Sequence, residues 1–179
     1  MASSNAAISG ALLKPALSPG RKAVLSLNKS CFSSNREDWA TPWELFHKVA
    51  KQHGPFDLDV CATRENAKCP EYFSPDQNSL SLANPWRGRC WMNPPYGRQI
   101  GLWLEKALKS VQEGTAQKVV CLIPARTDTA WWHNYVLPFG RIEFLRGRVK
   151  FEGAQQGAPF PSAIVVFEAD QSNRCKGLQ

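Results

Sequence analysis

In this 179-residue chain the tetrapeptide Asn93-Pro94-Pro95-Tyr96 holds the groups best suited to chemistry. Two consecutive prolines fix the backbone and remove two N–H donors, leaving carbonyl oxygens to face outward. The Asn93 side-chain oxygen and the Pro94 carbonyl can then both accept from one amino group. Tyr96 offers a flat ring on which a planar base could stack. Such a pair suits methylation of an exocyclic amine. The N6 lone pair of adenine is delocalised into the ring, and two acceptors drawing on its N–H bonds favour a tetrahedral nitrogen whose lone pair is free. The protein would contribute positioning and oriented dipoles, with no covalent intermediate and no metal. The plainer alternative is a proline-rich turn after a strand.

The flanking elements decide between these readings. Arg89 to Met92 reads as a short strand running into Asn93. Ile100, Trp103, Leu104, Ala107, Leu108 and Val111 form one apolar stripe of a helix closed by Gly114. A strand before and a helix after place the tetrapeptide at the carboxyl end of a parallel sheet, where open α/β folds bind ligands. Lys118 to Ile123, closed by Pro124, predicts a strand buried on both faces. Phe56 to Val60 alternates and predicts a short strand carrying Asp59 near its end.

Upstream, Thr41-Pro42-Trp43-Glu44 has the form of a capping box, with Thr41 as cap and Glu44 reaching back. A helix bearing Leu45, Phe46, Val49 and Ala50 should follow, up to Gly54-Pro55. Residues 63–88 read as polar turns. Thr129 to Leu137 predicts a short helix. Arg141–Leu145 and Val149–Phe151 should flank a turn at Gly147, and Ser162–Phe167 should form the last strand. Strand and helix alternate, so the class is α/β with a mostly parallel sheet.

Composition narrows the remaining possibilities. No stretch approaches the roughly 18 apolar residues of a spanning helix; the best, Ala6 to Leu17, is broken by Gly10, Lys14 and Pro15. The net charge is +7, of which Lys14, Arg21, Lys22 and Lys29 supply four within an acid-free segment, 1–35. That segment is expected to be a disordered basic N-terminal extension, with an organelle-targeting peptide as the alternative. A domain at 36–170 and a flexible tail at 171–179 complete the division. The domain is mildly basic, which permits nucleic acid without demanding it. None of the six cysteines has CxxC spacing and the three histidines form no metal-binding unit, so reduced thiols in a cytoplasmic compartment are expected and a structural zinc is not.

At this level of detail the sequence resembles the phage-type DNA N-6-adenine methyltransferases, a compact Dam-like group. The resemblance covers roughly residues 38–167. It rests on Asp38-Trp39-Ala40-Thr41-Pro42, Phe56-Asp57-Leu58-Asp59-Val60-Cys61-Ala62 and Trp91-Met92-Asn93-Pro94-Pro95-Tyr96-Gly97. Pro124-Ala125-Arg126-Thr127-Asp128-Thr129, Gly147-Arg148-Val149-Lys150-Phe151 and Ala158-Pro159-Phe160-Pro161-Ser162 extend it. It implies a compact Rossmann-like fold that uses S-adenosyl-L-methionine to methylate N6 of adenine in DNA. Asn93, Pro94 and Tyr96 would then be catalytic. Thr41 and Pro42 would contact the cofactor, Asp59 with Cys61 would hold its methionine end, and Asp76 is a candidate for its ribose. The chain departs from the broader superfamily after the acid, where Cys61-Ala62-Thr63-Arg64 replaces a glycine-rich turn.

Candidates for DNA contact lie downstream. Arg126 and Asp128 follow the buried strand, on the same sheet edge as Asn93, where they could orient DNA or pair with each other. Arg141, Arg146, Arg148 and Lys150, interleaved with Phe144 and Phe151, suit phosphate contacts, with a solvated hairpin as the alternative. Trp131 and Trp132 could face the target or the core. The target base must leave its stack, because N6 is otherwise paired. Two other functions fit the same tetrapeptide: methylation of a protein glutamine or an RNA amine, and a non-catalytic DNA-binding protein that keeps the fold. The protein is expected in the cytoplasm, of a bacterial host or phage-encoded, with organellar targeting by residues 1–35 the alternative.

Overall fold

The computed structural model describes residues 39–169. The expectations for segments 1–35 and 171–179 concern residues outside that span. The described residues build one six-stranded sheet: β1 (Leu58–Asp59), β2 (Glu71–Tyr72), β3 (Gly88–Met92), β4 (Ala116–Pro124), β5 (Arg141–Phe144) and β6 (Ser162–Glu168). Their order across the sheet is β2-β1-β3-β4-β6-β5. β1 to β4 pair in parallel, whereas β6 runs antiparallel to both β4 and β5. Five strands therefore point one way and β6 alone is reversed, as the mostly parallel reading requires.

β4 is the centre of the sheet, and its residues 119–124 are buried without alternation. That pattern belongs to a strand covered on both faces. Helix α1 (Trp43–His53) buries Phe46 and Val49, and the Phe46 ring meets Trp91 of β3 edge-on at 5.4 Å. Helix α2 (Ile100–Gln112) buries Ile100, Leu104, Ala107, Leu108 and Val111, the stripe read from the sequence. Gly88 needs a positive φ of 64° at the start of β3, and a Cβ there would meet Asp57 Oδ2 at 2.4 Å. Asp57 takes up that closeness by accepting the Arg89 backbone N–H at 2.8 Å.

Two local expectations need correction, and a third, the 129–137 helix, holds with a changed winding. Residues 63–88 are not all turns, because Glu71–Tyr72 pairs with β1 as an edge strand. The signal was too short to read: two residues between Pro70 and Pro75. The Gly147 turn is present, with φ 81°, but Val149–Phe151 forms no strand. Phe151 is instead drawn into an aromatic cluster, and the next residue, Glu152, donates its N–H to the Ala40 carbonyl at 2.9 Å. The region of the expected 129–137 helix holds a π-helical turn (Trp132–Val136) running into the single turn α3 (Leu137–Phe139).

The capping box is also not formed. α1 begins after Pro42 with no side-chain cap hydrogen bond. The Thr41 hydroxyl has a different partner, which belongs to the site.

Candidate active site at the carboxyl edge of the sheet

Because β1, β3, β4 and β5 run in parallel, the segments that leave their carboxyl ends share one edge. Asn93 follows β3, Cys61 and Ala62 follow β1, Arg126 follows β4, and Arg146 and Arg148 follow β5. A cavity of about 410 Å³ opens along the β2-β1-β3 part of this edge. Asp59, Cys61, Thr41, Asn93 and Pro94 all line it. Its volume lies within the roughly 300–1,000 Å³ of small-molecule sites.

Asn93 is held from both ends of its amide. Nδ2 donates to the Trp39 carbonyl at 2.5 Å and to Thr41 Oγ1 at 2.9 Å. The Trp39 carbonyl can only accept, so the nitrogen must face it, and this orients Oδ1 the other way. Oδ1 then accepts the Tyr96 hydroxyl at 2.7 Å, and the Leu122 carbonyl lies 3.2 Å from the same hydroxyl. One lone pair of Oδ1 is used by Tyr96, and among the described residues no second donor reaches it, which leaves the other lone pair to an amine.

Tyr96 itself is placed differently from a stacking platform. Only 4% of its surface is exposed, and the Phe151 and Phe160 rings stand nearly perpendicular to it at 6.0 and 5.5 Å. Trp39 joins the same group, 5.1 Å from Phe151 and 5.4 Å from Phe160. Burial holds the Tyr96 phenol well above its ordinary pKa, so it remains a neutral donor. Arg126 reaches this region from β4 and donates to the Tyr96 carbonyl at 3.4 Å.

Asp59 is the buried charge of the cavity, 2% exposed. Its two oxygens accept the backbone N–H groups of Cys61, at 3.2 Å, and Lys68, at 3.0 Å. Desolvation outweighs these bonds and raises its pKa to about 6. Lys68 also lines the cavity; its ammonium pairs with Glu152 at 3.1 Å and lies over the Trp43 ring at 4.0 Å. These contacts tie the β1–β2 loop to α1 and to the loop before β6.

The other residues read from the sequence fall outside this cluster. Pro42 precedes α1 and is not among the cavity-lining residues. Asp76 is exposed in a 3-10 turn (Pro75–Gln77) and does not line the cavity, although Ser74, Pro75 and Asn78 do. Asp128 is exposed, and among the described residues no ion pair joins it to Arg126. Arg146, Arg148 and Lys150 are exposed in the irregular segment after β5. Arg141 starts β5 at the far end of the strand and contacts His53 and Glu143. Phe151 is buried and Phe144 exposed, stacked on Trp132 at 6.3 Å and 18°.

Several contributors went unread. The Trp39 carbonyl is a backbone group and leaves no residue-type signal. Lys68, Ser79, Leu80 and Trp103 reach the cavity from distant segments. Only Trp103 had a pattern, and its place on the apolar stripe pointed to packing. Cys61 lines the cavity, and Cys69, Cys90 and Cys121 are buried free thiols. Burial pushes the Cys69 and Cys90 thiols up to about 12, which leaves them inert.

Fold and site together define an α/β protein with a cavity, sized for a small molecule, beside an Asn-Pro-Pro-Tyr acceptor pair. The chain belongs to the DNA N-6-adenine-methyltransferase (Dam) family, whose sequence profile matches residues 29–175. It is 33% identical over 145 residues to a DNA N-6-adenine-methyltransferase of Haemophilus phage HP1, covering 75% of this chain and 80% of that protein. A DNA N-6-adenine-methyltransferase of Escherichia phage T1 is 32% identical over 100 residues, 54% of this chain and 40% of its own length. The crystal structure of the 23S rRNA methyltransferase ErmE overlays on 75% of this chain and 70% of its own, with a TM-score of 0.47 and 13% identity. By family the chain is an adenine-specific DNA methyltransferase.

Proposed function

We propose that the chain methylates N6 of a flipped-out adenine in DNA, with S-adenosyl-L-methionine bound in the 410 Å³ cavity. The observation that carries this reading is that Asn93 lines the cavity with its amide already oriented by Trp39 and Thr41. A preset acceptor costs no reorganisation when the amine arrives.

The residues present fit this cofactor. Asp59 supplies a buried carboxylate for an ammonium group, and Phe73, Pro75, Leu80 and Trp103 supply apolar walls for a planar base. When bound, S-adenosylmethionine supplies an electrophilic methyl group on a sulfonium. Asn93 Oδ1 and the Pro94 carbonyl accept the two N6–H bonds of adenine and turn its lone pair toward that methyl. Thr41 positions Asn93, and Cys61 forms part of the wall beside Asp59. Pro42 and Asp76 do not line the cavity and have no part in this reading.

Arg126, Arg146, Arg148 and Lys150 form the basic rim along the same edge and neutralise DNA phosphates. Asp128 stands among them as the acid that can accept from a base or sugar. Among the described residues no helix is long and apolar enough to cross a membrane. A bacterial cytoplasm, where thiols stay reduced, suits the free cysteines.

The test is calorimetric titration of S-adenosylmethionine into wild-type, Asp59→Ala and Asn93→Ala protein. The reading expects binding by the wild type, loss with Asp59→Ala and near-wild-type binding with Asn93→Ala. Wild-type protein that does not bind the compound would remove the cavity as the cofactor site.

A further inference from the structure

We infer that Lys106, which does not line the cavity, is a positioning residue for the methyl donor, acting through the wall formed by residues 78–80; this rests on the cavity being the donor site.

Lys106 sits on α2, and its ammonium donates to three backbone carbonyls of one loop: Ser79 at 2.5 Å, Ser81 at 2.7 Å and Asn84 at 2.8 Å. An ammonium has three N–H donors, and here one loop takes all three. These bonds are formed at a cost, because burial lowers the Lys106 pKa. Ser79 is gripped from a second side, where the Trp86 indole N–H donates to its carbonyl at 3.1 Å and to its hydroxyl at 2.9 Å. Trp86 is fully buried and stacks on Trp103 at 6.1 Å and 27°. Trp103 lies on α2, three residues before Lys106.

The loop so held begins at Asn78, which closes the Pro75–Gln77 turn at φ 47°, a left-handed conformation that Asn tolerates. Asn78, Ser79 and Leu80 line the cavity, and so do Gln99 and Trp103 from the start of α2. This wall belongs to the connection from β2 to β3, whereas Asn93 follows β3, and both line the same cavity. α2 begins directly after Asn93-Pro94-Pro95-Tyr96. One helix thus ties the acceptor pair to this wall. Without the ammonium, three carbonyl dipoles converge with nothing between them, and the wall must open. The donor would then lose part of its seat.

The experiment compares wild type with Lys106→Met, which keeps length and removes charge, and Lys106→Arg, which keeps charge but not the trigonal donor set. Steady-state rates are measured with S-adenosylmethionine and DNA varied separately, after a wild-type binding titration. We expect Lys106→Met to raise the donor KM by about tenfold while kcat at saturating donor and the KM for DNA stay within about twofold. Lys106→Arg should lie between Lys106→Met and wild type. Hydrogen exchange at residues 79–84 should quicken in Lys106→Met, and saturating donor should slow it again. A donor KM unchanged in Lys106→Met overturns the assignment, as does a fall in kcat together with a rise in both KM values. If Lys106→Met fails to fold, a wild-type donor KM for Lys106→Arg overturns it alone. A wild type that does not bind the donor defeats the cavity assignment; normal wild-type binding with an unchanged variant defeats only the role of Lys106.

Discussion

The Tyr96 hydroxyl donates to Asn93 Oδ1 at 2.7 Å, so the last residue of the tetrapeptide orients the first. A net hydrogen bond of this kind is worth about 1 kcal/mol, and somewhat more in a dry site. Tyr96→Phe keeps the ring among Phe151 and Phe160 and removes only this bond. We expect kcat to fall roughly five- to tenfold with donor affinity unchanged. Wild-type kcat in Tyr96→Phe would show that Asn93 needs no help from the phenol.

Thr41 gives a second test of the same orientation from the other end of the amide. If its hydroxyl serves Asn93 and not α1, Thr41→Ala should lower kcat while Thr41→Ser restores it. Loss of a true helix cap typically costs about 1 kcal/mol of stability. Thermal melts of Thr41→Ala alongside its kinetics separate the two roles, and a drop in melting temperature with unchanged kcat would return Thr41 to capping.

How much of this was legible in the sequence follows from what each residue signals. Alternation over Phe56 to Val60 singled out Asp59, and the Asn-Pro-Pro-Tyr tetrapeptide between a strand and a helix singled out Asn93. α2 declared itself by its helical period, and β4 by an unbroken apolar run closed by Pro124. β2 is only two residues long and carries no period at all. Thr41 satisfied a local capping pattern, and a partner 52 positions away in sequence overrode it. The Tyr96 ring was read as a platform because aromatic rings stack on bases; that Phe151 and Phe160 enclose it depends on the path of the loop before β6, which no local pattern encodes.

Asp59 predicts a pH dependence. Burial raises its pKa from 3.8 to about 6, so the folded protein holds this proton more tightly than the unfolded chain does. The stability gained from that proton is complete below about pH 4 and lost as pH rises through about 6. A donor bearing an ammonium group prefers the carboxylate. Donor affinity should therefore increase between about pH 5 and pH 7, and Asp59→Asn should abolish the increase. Affinity that is flat in the wild type over this range would mean Asp59 does not meet the donor's charge.

The exposed basic segment after β5 can be tested through salt. For every phosphate that the protein no longer neutralises, the slope of log K against log salt should shrink by roughly 0.9. Arg148→Ala combined with Lys150→Ala should lower DNA affinity about equally on all sequences and leave donor binding alone. An unchanged slope accompanied by failure to bind the donor would move this segment from the DNA face to the cavity.

In the proposed reaction Asn93 delivers adenine N6 to the methyl donor. The most direct measurement is mass spectrometry of nucleosides from DNA incubated with purified protein and S-adenosylmethionine carrying a labelled methyl group. Labelled N6-methyldeoxyadenosine should form with the wild type. With Asn93→Ala it should fall by about a hundredfold or more, the scale set by removing one preorganised polar group from a transition state. Label on another nucleoside, or an Asn93→Ala protein as active as the wild type, would contradict the account.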